Sequence, residues 1–94
     1  MAHDITFLPE IRWNMDRFTV DYHAERASDL ILCRISWEAL QDGWPQNQKT
    51  SPEETFKAHR AQIEEIARDL ISRGRFESDG TIGIKSVDVR HLEL

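Results

Sequence analysis

Apolar residues recur at spacings of three and four from Phe56 through Ile63, Ile66, Ala67, Leu70 and Ile71, a period that gathers them on one face of a helix. His59 fills the gap after Phe56. Lys57, Arg60, Glu64, Glu65, Arg68 and Asp69 fall largely outside the stripe. Arg60 with Glu64, Glu64 with Arg68 and Asp69 with Arg73 are opposite charges four apart, each pair worth about 0.2–0.5 kcal/mol. Both ends carry stop signals. Ser51 is an N-cap, Pro52 suits the first helical position, and Glu54 three places after the cap completes a capping box. Gly74 can take the left-handed conformation that closes a helix. The pattern predicts one long helix from Ser51 to Gly74.

Strand-type patterns precede it. Ile5 to Leu8 is a short β run ended by Pro9, with Glu10 to Asp16 as a connection whose Trp13 folds back on the core. Arg17 to Ala24 alternates, placing Phe18, Val20, Tyr22 and Ala24 on one side. Leu30 to Ile35 is apolar on both sides, which predicts a central strand or one whose second face is covered. Ser36 then caps a short helix from Trp37 to about Asp42 that stops at Gly43. A polar connection, GWPQNQKTS, follows and reads as the most mobile internal segment. After the long helix, Arg75 to Ser78 and Thr81 to Val89 flank Asp79-Gly80, a strong hairpin signal. Ile82 and Ile84 have opposite parity to Val87 and Val89, so a bulge or bend near Lys85-Ser86 is required.

The order β-β-β-α-α-β-β predicts an α+β fold: an antiparallel sheet of four to five strands with one long helix packed on a face and one short helix. Ninety-four residues make a single domain, 1–94, with one core.

A formal net charge of −5 disfavours nucleic acid as a partner, because phosphate-backbone affinity needs clustered Lys and Arg. No segment has the length and hydropathy of a membrane span, and the first residues lack a leader's basic and apolar regions, so the expected setting is the bacterial cytoplasm. Cys33 is the single cysteine, which rules out an intrachain disulfide. His3, His23, His59 and His91 lack ligand spacing, and no cofactor or metal is expected.

The chemistry-bearing candidates are few. Cys33 on the central strand and His59 on the apolar face of the covering helix could meet, and a Cys-His pair beside Arg60 would lower the thiol pKa and make a nucleophile. The plainer reading is a buried cysteine acting as a small hydrophobe and a histidine at the core's edge. Trp44, beside Pro45 in a polar loop, is the candidate for an exposed binding residue.

ITFLPE with Trp13, CRIS followed by Ala39-Leu40, and FKAHR followed by Ile63, Ala67 and Leu70-Ile71 together resemble a family of short proteobacterial proteins known only as a domain of unknown function, with a Shewanella structural-genomics representative. The resemblance spans nearly the whole chain and implies an α+β fold in a cytoplasmic bacterial protein. It brings no functional residues with it. The expected function is a non-catalytic interaction or regulatory module. A homodimer or an unidentified protein partner is expected to cover the second apolar face of the sheet. The alternative is an enzyme or small-ligand binder using Cys33, His59 and Arg60.

Overall fold

The computed structural model describes residues 4–45 and 50–89. Its first half is an antiparallel meander of β1 (Ile5–Asn14), β2 (Thr19–Arg26) and β3 (Asp29–Ser36). The first strand does not end at Pro9. Phe7 pairs with Ala24 and Ile11 with Tyr22, so Leu8, Pro9 and Glu10 bulge opposite His23 alone. The surplus is even, which returns Ile11 to the face of Phe7 and leaves the inward alternation intact. Pro9 sits where the ladder is already broken, and Trp13 belongs to the strand rather than to a connection. The next strand begins later than the alternation suggests. Phe18 has a φ of 56° and is 63% exposed, closing the turn instead of facing the core.

Val20, Tyr22 and Ala24 pair with Ile35, Cys33 and Ile31, and all six are buried. Their alternates form the outer face. Across it run Arg12, Asp21 and Arg34 in one row and His23 and Leu32 in the next. Leu30 is 61% exposed and Leu32 is half-buried. The expected apolar second face is therefore reduced to two leucines in a polar setting.

Ser36 caps α1 (Trp37–Gly43), its hydroxyl accepting from the Ala39 N–H at 3.0 Å. The helix ends at Gly43 as expected, and the glycine serves a second purpose. A Cβ there would lie 3.1 Å from the Val89 Cβ, so the missing side chain admits a neighbouring helix.

The long helix is two helices, α2 (Pro52–Ala58) and α3 (Arg60–Ser72). The capping box at Ser51 and Glu54 forms as expected. His59 departs from helical geometry at φ −121°, ψ 25°. Its N–H still reaches the Thr55 carbonyl at 3.2 Å, and its own carbonyl accepts from Ile63 at 3.1 Å. The break is thus a kink at the residue whose ring stacks on Trp44. At the other end the N–H groups of Gly74 and Arg75 donate to Ile71 and Leu70, a Schellman closure around Gly74 at φ 70°.

Asp79-Gly80 does turn the chain, with the Gly80 N–H donating to Glu77 at 2.9 Å and the Glu77 N–H to Thr81 at 2.8 Å. No strand precedes it, however. The three residues of β4 (Ile82–Ile84) pair parallel to Cys33–Ile35, making a mixed sheet of order β1-β2-β3-β4. A parallel pair needs a long crossover, which the helices supply. The chain after Lys85 becomes α4 (Ser86–Val89) rather than a fifth strand, which resolves the parity conflict by burying Val89 and leaving Val87 exposed. The α+β architecture with four strands stands as the pattern implied, and the buried side chains form one cluster between sheet and helices. Residues 46–49 of the polar connection, and His3 and His91, lie outside the described residues.

Candidate functional site

Cys33 is wholly buried on β3, and burial alone pushes its thiol up to about 12 from an ordinary 9.0. Its Sγ donates weakly to its neighbour Ile31's carbonyl at 3.8 Å. Across the strand pair lies Tyr22, whose hydroxyl is also buried, with no hydrogen-bond partner among the described residues; burial raises its pKa as well. A nucleophile needs the opposite shift. Native Cys33 should therefore react with a thiol reagent orders of magnitude more slowly than free cysteine and fully after denaturation. Rapid native labelling in a stopped reaction would restore the thiolate reading.

His59 is engaged elsewhere. Its imidazole lies parallel to the Trp44 indole, with centroids 5.1 Å apart and an interplanar angle of 14°. Trp44 is only 9% exposed, and its Nε1 donates to Gln62 Oε1 at 2.7 Å. The tryptophan expected in a polar loop as an exposed contact is instead a buried brace between the end of α1 and the α2–α3 kink.

Arg60 is consumed by three acceptors. Its Nε donates to Glu64 at 2.7 Å, and its two terminal nitrogens donate to the carbonyls of Pro9 and Leu8, while its charge lies 5.5 Å from the centre of the Phe56 ring. Arg68 repeats the pattern toward Ile5's carbonyl and the Phe7 ring. Both cations fasten α3 to the bulged strand. The three members of the proposed constellation thus do separate structural work.

The residues that sequence reasoning passed over lie on the outer face. Arg34 interrupts the apolar run of β3, a lone charge among aliphatics, and that interruption was the available signal. It stands between Asp21 and Asp79 at 3.5 and 3.8 Å. Hydrogen bonds from Thr81, helped by the Arg34 charge, lower the pKa of the exposed Asp79 carboxyl. Among the described residues no three His, Cys, Asp or Glu side chains are grouped to hold a metal ion, and no helix is long and apolar enough to cross a membrane.

A family described as a protein of unknown function, DUF1488, matches residues 5–84. The chain belongs to that family. A crystal structure of a DUF1488 protein of unknown function from Shewanella loihica is similar over 89% of this chain and 94% of that one, with a TM-score of 0.78 at 24% sequence identity. At that identity the likeness shows the fold alone. No curated protein matches the chain. The DUF1488 match ends at Ile84, so it takes in the meander, the kinked helix pair and β4.

Proposed function

We propose that this DUF1488 protein is a non-catalytic interaction module of the bacterial cytoplasm, and that the outer face of its sheet is the surface offered to a partner. One observation carries the reading: Cys33, the only nucleophile of the suspected constellation, is fully buried with a raised pKa, while His59 and Arg60 brace other parts of the fold. The alternative, an enzyme built on those three residues, draws no support from a buried thiol with a raised pKa.

A second copy of the chain is the partner this face fits most economically. Leu30 and Leu32 offer a small apolar patch. Glu25 lies toward one end of the face and the row Arg12–Asp21–Arg34, of alternating charge, toward the other, so a two-fold axis would set Glu25 of one copy near the outer arginines of the next. Sedimentation equilibrium across micromolar concentrations should give a mass rising above 11.0 kDa, and Leu30→Glu should return it to the monomer. A wild-type mass fixed at the monomer value throughout would remove the second copy as partner.

A further inference from the structure

Phe18 occupies a backbone position that suits glycine. Its φ of 56° lies in the left-handed region, where a bulky side chain crowds the backbone and glycine does not. The ring gains no burial in return, being 63% exposed. Strain of this kind clusters at ligand clamps and other functional positions. Met15, in the same turn, is 74% exposed.

Two further aromatics stand beside it. The Trp13 ring lies 6.2 Å from the Phe18 ring, tilted by 56°, and the Trp37 N–H donates to the Phe18 carbonyl at 2.9 Å. Both indoles pack against the core with part of their surface left in solvent. Neither indole N–H has an acceptor among the described residues, and neither is sealed from solvent. Trp44 is the contrast, since its indole N–H is bonded to Gln62. Phe18 and Trp37 wall a groove of about 390 Å³. Its charges are Arg17 and Glu38, one of each sign, and Asp16 stands in the adjoining turn.

We infer that this aromatic corner binds a proline-rich segment of a partner protein in the polyproline II conformation. Such a segment has no internal hydrogen bonds, so its carbonyls need outside donors, and its pyrrolidine rings dock on flat aromatic faces. Three accessible rings and two free indole donors meet both requirements. The balanced charge argues against an anionic lipid surface, which attracts clustered Lys and Arg. The corner lies at the far end of the β2–β3 ladder from Leu30. It therefore goes beyond the outer-face reading and stands without it, because peptide binding and self-association are read by different measurements.

The test titrates the purified full chain with a polyproline peptide of about ten residues and, separately, with a Gly-Ser peptide of equal length, following the indole N–H resonances. Those of Trp13 and Trp37 should shift saturably with polyproline and not with the Gly-Ser peptide, while that of Trp44 stays in place. Phe18→Gly should weaken binding at least about tenfold, with the melting curve unchanged or raised because glycine accepts the left-handed position. Trp37→Phe keeps an aromatic face and removes the donor; it should weaken binding severalfold, and it carries the test if the glycine variant folds poorly. Absence of saturation, an equal response to the Gly-Ser peptide, or an affinity indifferent to both substitutions would overturn the inference. So would shifts produced by phosphatidylglycerol vesicles and not by polyproline, or by protein concentration alone, which would assign the corner to a lipid surface or to a second copy.

Discussion

Phe56→Ala is expected to cost about 3–5 kcal/mol of folding stability, the largest loss from any single truncation in α2. The ring is fully buried, packs on Tyr22 with centroids 4.9 Å apart, and carries the Arg60 charge on its other side. Its removal opens a cavity where the first turns of the helix pair meet β2, and also strips Tyr22 of an aromatic neighbour. Urea unfolding monitored by tryptophan fluorescence measures the effect, with Glu65→Ala as a surface control expected within about 0.5 kcal/mol. A loss below about 1 kcal/mol at Phe56 would mean that α2 does not sit on the sheet as described.

Arg60→Met is expected to cost about 2–3 kcal/mol, of the order of its charge-assisted hydrogen bonds to neutral acceptors, with little of that coming from Glu64 because the pair is partly exposed. The substitution keeps the aliphatic stem and removes the fork that holds the Leu8 and Pro9 carbonyls. Arg60→Lys should recover less than half, since one ammonium cannot reach both carbonyls and the glutamate in the required directions. Amide exchange then locates the damage: protection should fall in β1 while β2 and β3 keep theirs. Full rescue by lysine, or a uniform loss of protection, would refute the clamp.

Features decided by near neighbours in sequence were legible. The capping box at Ser51, the closure at Gly74, the cap at Ser36 and the inward alternation of Val20, Tyr22 and Ala24 all follow from residues within a few positions of one another. Features decided by distant partners were not. Pro9 looks like a strand end, and only the register against Ala24 and Tyr22 shows that the chain bulges and resumes. Asp79-Gly80 does make its turn, but whether the following isoleucines pair backward or with β3 depends on residues about half the chain away. Trp44 has polar neighbours in sequence and is buried by Gln62 and His59, which arrive from another helix. The same limit hid the setting of Arg34: Asp21 faces it across the β2–β3 pair, but Asp79 reaches it only once β4 is in place.

The parallel pairing of β3 with β4 also governs the order in which this sheet can be completed. A chain growing at about 5–20 residues per second has its whole meander available while the segment that will flank β3 is still on the order of a few seconds from synthesis. For that interval the strand destined for the centre is an edge, with unpaired backbone groups and an apolar run from Leu30 to Ile35. Arg34 is the one charge within that run, and until β4 arrives it keeps the nascent edge from being a flat apolar template.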